Sequence, residues 1–230
     1  MPEPTPVVVC WSGGKDSCLA LQRVLARADL RVEALLTTVT ADFDRISMHG
    51  VRRELLEEQA KALRLPLRQV LISKSATNEQ YEAKMGEALA PYRARGVETV
   101  VFGDLFLEDI RAYRERLLAK HGMRGLYPLW GLDTAALIRD FIDQGFKAAL
   151  VCIDPAKLSP AFAGRLIDHA LLTDLPADVD PCGENGEFHT FVFDGPIFKA
   201  PVRFAWGEKV CRDSFCFCDL IPDRVEDMAC

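Results

Sequence analysis

Two periods alternate along the first half of the chain. Val7, Val8 and Val9 are a short run of strand formers, and from Leu21 apolar positions return at Val24, Leu25 and Ala28, the spacing of one helix face. VEALLTTV, Val32 to Val39, predicts a second strand. Val51, Leu55, Leu56, Ala60 and Leu63 then make a helical stripe, stopped by Pro66. RQVLIS, Arg68 to Ser73, predicts a third strand. Thr77 with Gln80 has capping-box spacing ahead of Tyr81, Met85, Leu89 and Tyr92 on one helix face. ETVVFGD, Glu98 to Asp104, predicts a fourth strand, followed by a helix carrying Ile110, Tyr113 and Leu117. Strand and helix in strict alternation mean an α/β fold: a parallel sheet with helices on both faces. Such sheets bind ligands beyond the carboxyl ends of their strands. The segments to watch are therefore the turn at Ser12, Thr37 to Gly50, Ser73 to Thr77, and Gly103-Asp104.

The pattern changes near Leu126-Tyr127-Pro128-Leu129-Trp130-Gly131. Beyond it we expect a helix begun by Asp133, a strand at KAALVCID, and a helix from Pro160 to Leu172. EFHTFVF and PVRFAW then read as strands, with a turn at Gly207 and a returning strand. Residues 1–125 and 126–230 are thus expected to form a larger and a smaller α/β domain.

Composition narrows the function classes. The 230 residues are 49% hydrophobic and 27% charged, ordinary values for a soluble globular protein. A net charge of −6 argues against a general nucleic-acid binder, which needs clustered Lys and Arg. MPEPTP lacks the basic and apolar regions of a secretory leader, and no apolar run reaches the roughly 20 residues of a membrane span, so a cytoplasmic protein is expected. Of the eight cysteines, Cys10, Cys18 and Cys152 read as small buried hydrophobes. Cys211, Cys216, Cys218 and Cys230 crowd the end of the chain without metal-ligand spacing, and are read as packing residues or surface thiols.

The turn after the first strand carries the chemistry. Ser12-Gly13-Gly14-Lys15-Asp16-Ser17 joins a buried strand to a helix N-terminus, where outward-facing N–H groups and the helix dipole favour an anion. It has neither the spacing of a Walker A loop nor that of a dinucleotide fingerprint. It resembles the pyrophosphate loop of the N-type ATP pyrophosphatases, which split ATP to AMP and pyrophosphate. A second stretch, Pro181 to Phe198, surrounds a Gly-Asn-Gly frame with Glu184, Glu187 and His189. Alone it reads as a hairpin turn with solvated carboxylates in preference to a functional site.

Together the two stretches resemble the diphthine–ammonia ligase family, an amide-forming branch of that superfamily. The likeness takes in Ser12 to Ser17, His49 to Arg52, Phe102 to Asp104 with Glu108 to Arg111, Leu129-Trp130, Gly145-Phe146 and the block from Gly183 to Thr190. One departure stands out: Asn185 occupies a position where family members usually have glycine. Asn tolerates a left-handed backbone, so the turn is expected to survive.

The resemblance implies a Rossmann-like fold of the adenine nucleotide alpha hydrolase kind, with residues 1–125 binding ATP and 126–230 binding the acceptor. It implies that ATP and Mg²⁺ are used to adenylylate a carboxylate, which ammonia then amidates. The acceptor would be diphthine on translation elongation factor 2, or a bacterial small-molecule or protein counterpart. A homodimer is one candidate assembly. Backbone N–H groups of Gly13, Gly14 and Lys15, with the Ser12 and Ser17 hydroxyls, would hold the β/γ end. Lys15 would neutralise developing charge, and Asp16 would hold Mg²⁺ or orient the loop. Thr37, Thr38, His49, Gly103 and Asp104 would line the nucleotide pocket, Asp104 and Arg111 being equally consistent with a helix-cap and ion-pair arrangement. Glu184, Glu187 and His189 would act on the acceptor, with His189 the candidate base because a free imidazole titrates near neutrality. Two other readings share the loop: an RNA sulfurtransferase with Cys182 or Cys216 carrying sulfur, and a non-catalytic ATP-binding regulator.

Overall fold

The structure is a computed structural model describing residues 3–212 and 214–223. It opens with β1 (Thr5–Cys10), α1 (Lys15–Leu25), β2 (Leu30–Thr40), β3 (Arg45–Ile46), α2 (Arg53–Leu63) and β4 (Leu67–Ile72). There follow α3 (Asn78–Arg93), β5 (Thr99–Val101), α4 (Glu108–Ala119) and β6 (Arg124–Leu126). The remainder contains α5 (Thr134–Asp143), β7 (Lys147–Ile153), α6 (His169–Asp174), β8 (Phe188–Asp194), β9 (Phe204–Arg212) and β10 (Phe215–Pro222).

β1 is the centre of the first sheet, parallel to β2 on one side and β5 on the other; β2 also pairs in parallel with β4, and β5 with β6. Because alternate residues of a strand point to opposite faces, the three valines divide. Val7 and Val9 join a core with Leu21 and Val24 of α1 and Leu55 and Leu56 of α2. Val8 joins another with Met85 and Leu89 of α3 and Leu117 and Leu118 of α4. All three valines are completely buried, as expected for a parallel strand covered on both faces. The Thr77–Gln80 capping box is present. α1 ends at Leu25, which is half exposed, so its buried stripe is Cys18, Leu21 and Val24 and does not reach Ala28.

The second sheet is antiparallel, in the order β8-β7-β10-β9. Its inner residues, among them Leu150, Phe191 and Val192, share the core that contains Val7 and Val9, so β8 lies against the start of α1.

Two local expectations are corrected. The helix expected over 160–172 is a 3-10 turn at Pro160–Phe162 and the short α6. β10 pairs with only Cys152 and Ile153 of β7. Residues 164–167 cover the rest of that edge, with Gly164 N donating to Leu150 O and Ile167 N to Ala148 O. Backbone groups committed to a strand cannot also close helical turns. Gly207 lies inside β9 and forms no turn; it faces a bulge at Asp219, whose Cβ would lie 2.9 Å from a Cβ built on the glycine. The short β3, which returns antiparallel onto the end of β2, was not foreseen.

The β9–β10 register sets Cys211 opposite Cys216, and the two form a disulfide; neither is a free packing thiol. Cys218 is a buried free thiol, and Cys230 lies outside the described residues. Among the described residues no helix is long and apolar enough to cross a membrane.

Candidate active site

The Ser12–Ser17 turn has its shape imposed from three directions. Gly13 has φ +78°, and a Cβ there would lie 2.7 Å from Gln59 Oε1. Gly14 is the N-cap of α1, and a Cβ there would lie 2.9 Å from His49 Cε1. The first glycine answers to backbone conformation and the second to close approach. Gln59, fully buried on α2, donates through Nε2 to Gly13 O (2.9 Å) and accepts from Trp11 Nε1 (2.9 Å). Val192 N, in β8, also donates to Gly13 O. Gly103 seals the other side: a Cβ there would lie 2.6 Å from the carbonyl carbon of Asp16.

Two of the three N–H groups expected to face phosphate already have partners. Gly14 N donates to Ser12 Oγ (3.3 Å), and Lys15 N to Thr190 Oγ1 (3.1 Å). Ser17 Oγ donates to Gly14 O and lies 3.2 Å from Ser12 Oγ. Helix N-termini carry N–H groups without intrahelical acceptors, and the hydroxyls satisfy them.

A cavity of about 420 Å³ lies above this turn. Of the residues singled out in the sequence, Ser12, Lys15, Asp16, Ser17, Thr37, Thr38, His49, Gly103, Asp104, Glu184 and His189 line it. Gly13 and Gly14 shape the turn without lining the cavity, and Ser73 to Thr77 stay outside it. Thr37 and Thr38 lie within β2, which runs on to Thr40, and the Thr37 hydroxyl is buried without a hydrogen-bond partner.

Lys15 is 2% exposed, with Nζ 2.9 Å from Asp16 Oδ2 and over the Phe188 ring. Burial alone would lower its pKa, but the negative charge of Asp16 and its hydrogen bond to Nζ raise it, so the ammonium persists. Burial raises the Asp16 pKa against the pull of Lys15. Asp16 Oδ1 is buried and has no hydrogen-bond partner. Glu184 Oε1 accepts from Leu105 N (2.8 Å), tying the turn before β8 to the loop after β5. Burial lifts the Glu184 carboxyl to about 7, opposed by that N–H and reinforced by Asp16.

Two candidates behave differently from the sequence expectation. Glu187 is 3% exposed and does not line the cavity. Its Oε1 accepts from Asp180 N and Asn185 Nδ2, so it closes the turn from inside. His189 lines the cavity but stacks on His49 with ring centroids 4.7 Å apart. Burial, then His49, hold its pKa well below that of a free imidazole, so it is a poor base at neutral pH. His49 is lowered to about 4 by burial, and its Nδ1 meets Thr190 O at 3.0 Å. Asn185 needs no left-handed backbone: the positive φ angles fall on Gly183 and Gly186, and the amide serves as a donor to Glu187.

Asp104 pairs with Arg114 (2.7 Å), whereas Arg111 pairs with Glu115 and stacks on Tyr127 and Trp130. Cys182 lies outside the cavity with its thiol donating to Thr134 O, and burial raises its pKa. Cys10 lines the cavity, so it is more than a packing residue, and burial holds its thiol up to about 12. The sequence reading missed Thr190, Gln59 and Arg114. Each acts through a partner 10 to 175 residues away in sequence, and only Thr190 carried a signal, its place beside His189.

Residues 5–125 match the family described as diphthamide synthase N-terminal domain, and residues 133–223 match the diphthamide synthase C-terminal domain. The chain belongs to the diphthamide synthase family. It is 26% identical over 231 residues to the diphthine–ammonia ligase of Schizosaccharomyces pombe, covering 91% of this chain and 38% of that longer protein. It is 25% identical over 245 residues to the Rattus norvegicus diphthine–ammonia ligase (96% of this chain, 91% of the relative). The Danio rerio diphthine–ammonia ligase is 27% identical over 234 residues, covering 92% of this chain and 91% of the relative. Both family matches include cavity residues: Lys15 and Asp16 fall in the first, Glu184 and His189 in the second.

Proposed function

We propose that this cavity is where a diphthamide-synthase-type ligase joins ammonia to a carboxylate at the expense of ATP. The chain is an ATP-dependent, amide-forming carbon–nitrogen ligase. The observation that carries this reading is the convergence of the Lys15–Asp16 turn and Glu184 in one cavity, each from a different family-matched half.

Residues 1–125 supply the nucleotide side and 126–230 the acceptor side. A carboxylate oxygen of the acceptor attacks the α-phosphorus of ATP, and pyrophosphate leaves. Ammonia then attacks the acyl carbon of the mixed anhydride, the amide forms and AMP departs. Charge grows on the leaving pyrophosphate, and a fixed ammonium at Lys15 meets it; each hydrogen bond to such a charged oxygen contributes about 1.5–3 kcal/mol. Ser12, Ser17 and the N–H groups of Gly13, Gly14 and Lys15 complete the cradle, the bonds from Gly14 and Lys15 being exchanged from the Ser12 and Thr190 hydroxyls. Thr37 and Thr38, with His49, Gly103 and Asp104, border the nucleotide.

Mg²⁺ suits the donor set. Asp16 Oδ1 is an unpaired buried carboxylate oxygen, and Mg²⁺ typically takes one or two carboxylates with substrate phosphates making up the rest. Among the described residues no group of three or more acidic, His or Cys side chains forms a closed metal cage. Bound at Asp16, the ion would offset phosphate charge.

Glu184 takes the proton released when ammonium becomes ammonia. Its carboxyl near 7 matches that task better than His189 does. His189 and His49 stay neutral and shape the wall. Glu187 positions Glu184 by fixing the turn. A sulfurtransferase would need a thiolate at the cavity. Cys182 lies outside it, Cys216 is disulfide-bonded, and Cys10 is held as a thiol.

The acceptor is diphthine on elongation factor 2, or a bacterial counterpart bearing a carboxylate, in the cytoplasm; a homodimer is the proposed assembly. Chromatography of nucleotides after incubation with diphthine-bearing elongation factor 2 and ammonium tests the reading. AMP and pyrophosphate formed only with acceptor are expected; ADP and phosphate would overturn it.

A further inference from the structure

A second cavity, of about 370 Å³, lies on the other side of the loop that contributes Met48 and His49 to the first. Its floor is one face of the β9–β10 ribbon. Glu208, Val210 and Arg212 alternate along β9, and Phe217, Asp219 and Ile221 along β10, so all six point the same way. The opposite face of β10, Cys216, Cys218 and Leu220, is buried in the molecule. Arg45, Gly50 and Arg52 form the facing wall.

This is an unusual surface for a chain of net charge −6. Three arginines line it against two carboxylates, Asp219 and Glu208. Arg45 Nη1 and Arg52 Nε and Nη2 converge on Asp219 at 2.7–3.2 Å. Those bonds use one nitrogen of Arg45 and two of Arg52, so each guanidinium has further N–H groups to offer. Arg212 has no ion pair among the described residues and rests over the rings of Phe217 (5.4 Å) and Phe43 (5.6 Å). Around these cations stand exposed apolar side chains: Val210 is 44% exposed, Ile221 42% and Phe43 47%. A small inorganic anion would use the cations and leave this apolar rim in water. A polypeptide carrying acidic and apolar side chains in alternation would use both.

The cavity is also mechanically joined to the active site. Arg45 Nη1 donates to Gly50 O (2.7 Å), and a Cβ on Gly50 would lie 2.6 Å from Phe217 Cδ1. His49, the residue before Gly50, is in the first cavity.

We propose that the Arg45–Arg52–Arg212 cavity docks an acidic, apolar-flanked polypeptide segment. Assigning that segment to the protein bearing the carboxylate acceptor rests on the ligase reading above; the binding itself does not. The docked chain would run beside the 45–52 loop and bring its modified residue to the neighbouring cavity.

Fluorescence anisotropy of the full chain tests this, with a labelled peptide alternating glutamate with leucine and phenylalanine as the probe. The expectation is binding that weakens with salt and that is lost when lysine replaces glutamate in the peptide. Arg212→Glu should weaken it by about tenfold or more and Ile221→Ser by about threefold, both side chains being at the surface. Free glutarate at millimolar concentration should not compete. Equal binding of the lysine peptide, no effect of Arg212→Glu, or displacement by glutarate would each overturn the docking site. So would sedimentation showing a dimer that Arg212→Glu dissociates, since the face would then be a contact between copies. ATP titration and AMP formation, measured in parallel, separate the two claims. Peptide binding without AMP formation would sink the ligase reading alone, and AMP formation without peptide binding would sink the docking site alone.

Discussion

Two glycine-containing turns meet at the active site, and they use their charged residues in opposite ways. In the Ser12–Ser17 turn the supports come from elsewhere: Gln59 from α2, and Thr190 and Val192 from β8. Its own Lys15, Asp16 and serine hydroxyls are left facing the cavity. The 180–187 turn uses its own carboxylates for its support, with Lys157 Nζ donating to Asn185 O and Asp154 N to Glu187 O from outside. Asp180 Oδ1 accepts from Cys182 N and Glu184 N, and Glu187 accepts from Asp180 N and Asn185. Only Glu184 is left over to reach across to Leu105 N. Carboxylates alike in sequence thus divide into one that can meet a substrate and others consumed by their own backbone. Glu187 Oε1 is satisfied by the turn, and Glu187 Oε2, though unpartnered, lies buried outside the cavity.

The sharpest test of that contrast is at Lys15. Lys15→Ala should lower pyrophosphate release about a hundredfold or more, the scale of removing one oriented donor to a developing anion. Normal turnover by a folded variant would place the charge-stabilising group elsewhere.

Glu184 should come next, and pH sharpens it. With a carboxyl titrating at about 7, amide formation measured at a fixed ammonium concentration should rise through neutrality and level off above it. Glu184→Gln should remove that limb and slow amide formation by about tenfold to a hundredfold. Stability should respond too. Between 4.5 and about 7 the folded state keeps a proton on Glu184 that the unfolded chain has released, so this group lowers stability as pH rises through that window. His49 works in the opposite sense. Between about 4 and 6.5 only the unfolded chain binds its proton, so stability is lost as pH falls. Melting curves of Glu184→Gln should therefore show the histidine trend alone, a steady loss toward acid. An unchanged wild-type profile in the variant would refute the assignment.

Glu187 should behave as a support. Glu187→Ala strands two donors, and we expect it to cost about 1–3 kcal/mol of stability, read from denaturant midpoints. Both reaction steps should fall together as the turn loosens. Full stability with a selective loss of amide formation would return Glu187 to the reacting groups.

The smaller effects lie beneath and away from the cavity. Thr190→Val removes the acceptor for Lys15 N and should change the KM for ATP by a factor of about ten at most, since a neutral hydrogen bond contributes about 1 kcal/mol. Cys216→Ser with Cys218→Ser should leave ATP-dependent activity within about threefold, because neither side chain lines the cavity. A larger loss would show that the ribbon end of the molecule reaches the chemistry.

Local chemistry made much of this protein legible without coordinates. The βαβ alternation, the Thr77–Gln80 cap, the Gly13-Gly14 turn and the block around Glu184 are written in residues close together in the chain. Their geometry follows from side-chain period, φ preference and N-terminal donors. Contacts across the chain decided the rest. Residues 164–167 gave up helix because an uncovered strand edge needed partners, and Gly207 sits in a strand because Asp219 bulges opposite it. Burial, which no local pattern reveals, penalises charge on the His189 imidazole and retains the proton on the Glu184 carboxyl, and on that ground we propose Glu184 as the base. Glu187 turned inward because the backbone N–H of Asp180 had to be satisfied, and the exposed Asn185 reaches back to it through its amide. Hydrogen bonding and desolvation depend on what the folded chain brings within a few ångströms, and the sequence does not list those neighbours.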